Sequence, residues 1–258
     1  MATESPILPV STAPPPLLPL ATEAVDDFPY PPENLPETDG VPLESDWHRL
    51  AITLLIECVR WSWRSRDDYY VGGNMFVYFS AQQVRNHDYR GPDFFFVEGV
   101  APKPDRETWT VWEEGGKYPD FIIELLSKTT RQEDLTTKKD LYQSVFKLYE
   151  YCCYDRLANE LLGWRGHRKF EPVLPNERGW IWIEKMQLWL GTWHGVYHGL
   201  EADWPRFYDP HGNLLLTRAE DEHRLVEIER LHAASAQQRA DALAAEVAQL
   251  KAQIAAKQ

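Results

Sequence analysis

Lys117-Tyr118-Pro119-Asp120-Phe121-Ile122-Ile123-Glu124-Leu125-Leu126-Ser127 decides the reading of this chain. Phe121 to Leu126 is a short apolar run broken by one carboxylate, Glu124. Its length and its β-branched and aromatic content predict a buried strand rather than a helix. An ionisable group inside such a run is costly to bury unless it is paired or bound to a metal. Glu124 is therefore the first candidate site residue.

Upstream, Gly91-Pro92-Asp93-Phe94-Phe95-Phe96-Val97 is a second apolar run opened by an aspartate, predicting a strand over Asp93 to Glu98. Its three phenylalanines point to both faces in turn, so that strand must be covered on both sides. Downstream, Ser127-Lys128-Thr129-Thr130 reads as a loop, and a helix is expected from about Asp134 to Tyr149. There Asp134, Lys138 and Tyr142 recur every four residues and share one face, with Leu141, Val145, Leu148 and Tyr149 turned inward. An aspartate, a strand glutamate and a lysine converging on one place suit metal-assisted phosphodiester cleavage. Carboxylates hold a hard cation such as magnesium, and the lysine orients or activates the attacking water.

Asp120 shares strand parity with Glu124, but four residues at ~3.3 Å each place them roughly 13 Å apart. Carboxylates sharing one magnesium need oxygens within about 4 Å, given metal–oxygen distances of ~2.1 Å. Asp93, on a neighbouring strand, is the better partner.

Pro92-Asp93, then Ile123-Glu124-Leu125-Leu126-Ser127, then Asp134-x3-Lys138-x3-Tyr142, then Glu150-Tyr151-x3-Asp155 together resemble the Uma-two family of restriction-endonuclease-like proteins. That family is a bacterial branch of the PD-(D/E)XK nuclease superfamily. The resemblance runs from about His48 through Trp204 to Thr217, and its specificity lies in the order and spacing of the four short motifs. It implies an α/β, restriction-endonuclease-like fold with a mixed central sheet flanked by helices. It also implies a magnesium- or manganese-dependent endonuclease acting on nucleic acid, with DNA the expected substrate. By analogy Asp93, Glu124 and the backbone carbonyl of Leu125 hold the ion. The superfamily's usual lysine position, two after the glutamate, is Leu126 here, and the resemblance moves that role to Lys138, with Lys128 as the alternative.

Two other classes of function stay open. One is a non-catalytic interaction protein that keeps the nuclease fold, suited by the net charge of −13 and by the terminal arms. In the other, Glu124 is a buried carboxylate paired with Lys138 and no metal is needed. The acidic balance argues against a generic nucleic-acid coat but allows a local basic rim drawn from Arg60, Arg64, Arg66, Arg85, Arg90, Lys128, Arg131, Lys138 and Lys139.

The rest of the chain frames this centre. Residues 1–40 carry ten prolines and read as a flexible leader, 41–216 as the nuclease-like domain, and 217–258 as a C-terminal helix. Glu44 to Trp63 is expected to be helical, capped by Ser45 or Asp46. On it His48 can serve a metal or phosphate site, although a surface or capping role is favoured, and Glu57 is read as solvated. Tyr69 to Val71 and Met75 to Ser80 suggest a hairpin around Gly72-Gly73-Asn74, and residues 81–90 a polar loop or edge. Tyr151 to Tyr154 reads as a strand. Glu160 to Trp164 and Trp180 to Glu184 suggest a second hairpin closing the sheet, with Arg165-Gly166-His167 as a turn. Leu188 to Leu190 and Trp193 to Tyr197 extend that β region. Tyr142 is read as core more readily than as catalytic. His194, His198 and His211 are read as surface loop residues, since Gly191, Gly195 and Gly199 oppose a helix there.

Cys58, Cys152 and Cys153 show no zinc spacing and are expected to be buried and reduced. The sequence holds no run of ~20 apolar residues and no basic start of a signal peptide, so a cytoplasmic location is expected. In the C-terminal helix Ala236, Ala240, Leu243, Val247, Leu250 and Ile254 alternate spacings of three and four, whereas Leu225, Ile228 and Leu231 lie on a shifted stripe. This seam predicts a coiled coil and a homodimer.

Overall fold

Phe121–Leu126 forms strand β5, and all six residues are buried because both faces of the strand are covered. The computed structural model describes residues 45–80, 91–103 and 105–256. The expected leader, the expected loop at 81–90 and the candidate rim residues Arg85 and Arg90 lie outside the described residues.

Strands β1 (Tyr69–Gly72), β3 (Phe94–Glu98), β5, β6 (Glu150–Asp155), β7 (Glu160–Arg165) and β8 (Glu171–Val173) form a six-stranded sheet in the order β1-β3-β5-β6-β7-β8. Only β5 and β6 run parallel, so the sheet is mixed. A parallel pair needs a crossover. It is supplied by α2 (Arg131–Glu133), a π-turn (Asp134–Lys138) and α3 (Lys139–Ser144).

The alternation of β5 divides the core. Phe121, Ile123 and Leu125 face helix α1 (Asp46–Ser62), whose Leu50, Leu54, Leu55 and Cys58 are buried against them. The same layer holds Trp204 and Phe207 of a second, three-stranded sheet ordered β11-β10-β9. Its strands are β9 (Ile181–Ile183), β10 (Leu188–Tyr197) and β11 (Leu200–Tyr208). Ile122 and Leu126 face the opposite layer, where Tyr142 and Phe146 pack with Trp109. Trp109 belongs to a small parallel pair, β2 (Val77–Tyr78) with β4 (Trp109–Thr110). The chain is thus the expected mixed α/β protein, with a long C-terminal helix α4 (Arg218–Ala255).

Several local expectations fail. Tyr69 to Val71 and Met75 to Ser80 do not form a hairpin: β1 pairs with β3, and β2 pairs with β4. Gly73 is pressed against the Asp93 backbone, where an added Cβ would lie 2.1 Å from the Asp93 carbonyl oxygen, so the chain leaves the sheet at that point. The second expected hairpin is also absent, because β7 pairs with β8 while β9 joins β10. The predicted helix over 134–149 is already underway at Arg131 and stops at Ser144. Beyond it Lys147 takes φ +54° to turn the chain into β6, so Val145 is exposed while Phe146 and Leu148 are buried. Glu57 is half-buried and accepts a hydrogen bond from the Tyr197 hydroxyl at 3.1 Å. The three cysteines are buried and free, and burial pushes the Cys58 thiol up to about 12. Among the described residues no helix is long and apolar enough to cross a membrane.

Helix α4 starts at a capping box: Glu220 N–H donates to the Thr217 hydroxyl at 3.2 Å, and Thr217 N–H donates to the Glu220 carboxylate at 2.7 Å. Arg206, fully buried in β11, grips the same carboxylate at 3.0 and 2.8 Å and the Leu215 carbonyl at 2.7 Å. Removing one partner of a buried pair strands the other charge. Glu220→Ala should therefore lower stability by about 3 kcal/mol, read from urea unfolding midpoints. A change within experimental error would mean that the Leu215 carbonyl alone satisfies Arg206.

Candidate active site

The site begins where β3 stops pairing with β5. Their register pairs Phe94 with Ile123, so continuing it would set Asp93 against Glu124 and Pro92 against Leu125. Proline has no N–H to give, and the Pro92 carbonyl is already taken by Asn74 N–H at 2.9 Å. The Asp93 side chain replaces the missing backbone partner: Leu125 N–H donates to Asp93 Oδ2 at 2.7 Å. β5 thereby outruns β3, and Asp93 and Glu124 are left side by side at the open end. Asp93 N–H lies 3.4 Å from Glu124 Oε2.

The crossover supplies the rest. Lys138 Nζ lies 3.2 Å from Glu124 Oε2 and 2.8 Å from Asp134 Oδ1. The Tyr142 hydroxyl donates to Glu124 Oε1 at 2.6 Å. In a regular α-helix two steps of four residues drift by about 80°, since each overshoots a turn by about 40°. The π-turn over Asp134–Lys138 carries more residues per turn and takes up part of that drift, so Asp134, Lys138 and Tyr142 all face Glu124. Tyr151 fixes the π-turn by donating its hydroxyl to the Asp134 carbonyl at 2.9 Å.

From the other layer, His48 Nε2 approaches Asp93 Oδ1 at 2.9 Å. His48 sits in the first turn of α1, where its N–H donates to Ser45 Oγ at 3.3 Å. The expectation of a surface histidine is therefore corrected: its side chain is 14 % exposed and touches the site. Tyr142 is buried in the core as expected and also donates to Glu124, while His48 touches Asp93. For Tyr142 the signal was its spacing from Lys138; for His48 no sequence signal links it to Asp93, because the contact joins two layers.

The site is nearly dry. Glu124 and Tyr142 are fully buried, and only Asp93, His48 and Lys138, at 14, 14 and 16 % side-chain exposure, open to solvent. Burial pushes the Glu124 carboxyl up to about 8, with Asp93 and Asp134 adding to the rise and Lys138 and Tyr142 opposing it. Burial likewise raises Asp134, against the pull of Lys138. For Lys138 burial acts downward, but the surrounding carboxylates outweigh it and hold the amine above its ordinary value. Lys138 is therefore an ammonium ion at neutral pH.

The other candidates lie elsewhere. Lys128 is exposed in the loop after β5, whereas the lysine in contact with Glu124 is Lys138. Asp120 accepts from Glu98 N–H at 2.8 Å, at the far end of β5. Among the described members of the expected basic rim, Arg60 donates to the Val71 carbonyl, Arg64 stacks on Trp61, Arg66 pairs with Asp68, and Lys139 lies over Trp164. His194 is an exposed strand residue beside Asp203, at 2.9 Å, and His198 turns the β10–β11 hairpin at φ +47°.

The donor set suits a hard cation. Magnesium takes oxygen ligands, commonly one or two carboxylates with waters completing the shell, and Asp93 and Glu124 are acidic residues opposite one another where β3 ends beside β5. Among the described residues no three His, Cys, Asp or Glu side chains are grouped to hold an ion by themselves. The remaining ligands would be backbone oxygen and water.

Comparison with known proteins places the chain. The family model described as "Uma2: Putative restriction endonuclease" matches residues 36–193, more than half of the chain. No curated protein matches. Among solved structures, a protein described as a "putative nuclease belonging to DUF820" from Anabaena variabilis is similar at 13% identity and a TM-score of 0.42. That similarity covers 56% of this chain and 75% of the other.

The raised Glu124 carboxyl has a consequence for stability. Its folded pKa, about 8, lies above its ordinary 4.5, so between those values the folded state holds a proton that the unfolded state has released. Stability at this group is full below pH 4.5 and falls as pH rises towards 8. The loss is on the order of 5 kcal/mol. Glu124→Gln should abolish this slope and make the variant the more stable protein at pH 8, measured by thermal unfolding across the range. Parallel pH profiles for the two proteins would show that Glu124 is ionised throughout.

Proposed function

Because the chain belongs to the Uma2 family of restriction-endonuclease-like proteins, we propose that it is a metal-dependent endonuclease that hydrolyses phosphodiester bonds of DNA. The observation that carries this reading is the placement of Asp93, Glu124 and Lys138 at one open strand end, where the Asp93 backbone N–H lies 3.4 Å and Lys138 Nζ 3.2 Å from the same Glu124 oxygen. Asp93, Glu124 and the Leu125 carbonyl would hold magnesium or manganese. A strand residue sends its N–H and C=O to the same edge, and the edge of Leu125 is the one where Pro92 has no N–H to offer. The bound ion would polarise the phosphate and activate water.

The chain's own groups do the rest. Lys138, kept as an ammonium by its carboxylate neighbours, orients the attacking water and offsets charge on the phosphate; it is not a base. Asp134 holds Lys138 in place, and Tyr142 fixes the Glu124 carboxylate through a 2.6 Å hydrogen bond. His48 anchors Asp93 from α1 at 2.9 Å. Leu126 is buried where the superfamily places its lysine, and Lys138 reaches the same carboxylate from the crossover instead.

A second reading has an observation of its own. Every carboxylate oxygen of Asp93 and Glu124 has a protein partner without any ion. On that reading the cluster is a structural ion-pair network in a non-catalytic interaction protein.

Magnesium titration by calorimetry in two buffers of different ionisation enthalpy separates the two. Binding at pH 7 should release a proton from Glu124, because an ion can only take the carboxylate. Glu124→Gln should lose both the heat and the proton release, and plasmid nicking with them. Lys138→Met should keep metal binding and lose nicking by at least about 100-fold. Absence of metal binding in the wild type would leave the ion-pair network as the reading. An RNA of the same sequence, run beside the plasmid, tests the preference for DNA.

The C-terminal helix supports a homodimer. Leu243, Val247 and Ile254 are exposed along its last turns, as are Leu225, Ile228 and Leu231 nearer its start. In the heptad frame set by Ala240 and Leu243, Glu246 and Lys251 occupy facing flank positions of a parallel pair, so two copies in register attract. Light scattering should give twice the chain mass for the full chain and the single mass after removal of 219–258. An unchanged oligomeric state removes the coiled coil from the account.

A further inference from the structure

The charge at the open end of the sheet is not exhausted by the site itself. β5 and β6 run parallel with Leu126 beside Asp155, so both strands deliver their following loops to the same edge. Lys128 and Arg131 follow β5, and Arg156 follows β6; all three are exposed. Arg131 Nε lies 3.1 Å from Asp155 Oδ2. The Arg156 guanidinium stands 4.7 Å over the Trp47 ring, and Trp47 precedes His48, which touches Asp93.

The loops that carry these cations are held in place. Ser127 Oγ lies 3.0 Å from Thr129 Oγ1 and 2.9 Å from Thr130 Oγ1, closing the turn around Lys128. Asp155 Oδ1 accepts from Leu157 and Ala158 N–H at 3.0 and 3.2 Å, closing the turn around Arg156. The Asp155 carboxylate is thereby occupied within the protein, and Glu133 is the exposed acid of the neighbouring helical turn.

We propose that Lys128, Arg131 and Arg156 form a phosphate-gripping rim that lays a nucleic-acid backbone across the Asp93–Glu124 edge. The inference rests on the nuclease reading and adds how the substrate is held. A chain of net charge −13 repels a polyanion at long range, so a local rim has to supply the attraction. Guanidinium groups match phosphate oxygens in a planar fork. Contacts of this type position a duplex without reading its bases, so the rim predicts binding indifferent to sequence.

The test is metal-free binding of a fluorescently labelled 20-base-pair duplex in EDTA, followed by polarisation across ~25 to ~200 mM salt. Each phosphate contact contributes a slope of roughly 0.9 in log affinity against log salt. The double variant Lys128→Gln/Arg156→Gln should lower the wild-type slope by about 2 and weaken binding equally for unrelated sequences. An unchanged slope in the double variant, or competition by polyglutamate as strong as by DNA, overturns the rim. So does wild-type protein with no salt-dependent binding. Failure of the nuclease reading looks different: metal binding and nicking would be absent while the salt-dependent binding and its loss in the double variant persisted.

Discussion

The hydrogen bond from Leu125 N–H to the Asp93 carboxylate, at 2.7 Å, is the contact on which the rest of the centre depends. It stands where Leu125 N–H would have met the Pro92 carbonyl, had Asn74 N–H not taken that carbonyl at 2.9 Å. Because a side chain closes the ladder, β5 extends past its neighbour and exposes one edge. Because that side chain is an aspartate, the edge begins with a carboxylate beside Glu124. Gly73 makes the arrangement possible by letting the preceding loop lie against the Asp93 backbone, too close for any Cβ.

A carboxylate with no exposed surface must be compensated, and the crossover between β5 and β6 is shaped to do this. The π-turn over Asp134–Lys138 is a local departure from ideal helix geometry, and the benefit is alignment. Lys138 and Tyr142 both reach Glu124, while Asp134 stays close enough to share the ammonium. The result is three carboxylates around one ammonium, so the cluster carries more negative than positive groups. Burial answers that excess by raising Glu124 and Asp134. The proton that Glu124 holds relieves part of that excess.

The second sheet and the long helix stand apart from this chemistry. Trp204 and Phe207 complete the layer that covers α1, and Arg206 ties that layer to α4 through Glu220. α1 is thus clamped between two sheets, which fixes where its first turn delivers His48 to Asp93. The carboxyl ends of β5 and β6 gather the exposed cations of two loops at the same edge.

Much of this was legible in the residues themselves. A carboxylate inside Phe121–Leu126 announces its own cost, and Asp93 before three phenylalanines marks a second strand. The i, i+4 spacing of Asp134, Lys138 and Tyr142 puts three groups on one face, and an apolar run without membrane length forces a packed core. Strand partners were not legible, because β2, β4, β8 and β9 are only two or three residues long and pair by position in space. Nor was the end of the helix near Ser144, where burial of Phe146 and Leu148 overrides a continuing helical pattern. Above all, the sequence could not place His48, 45 residues before Asp93 along the chain. That contact exists only because α1 packs across the sheet, and packing is a property of the whole core rather than of any local pattern.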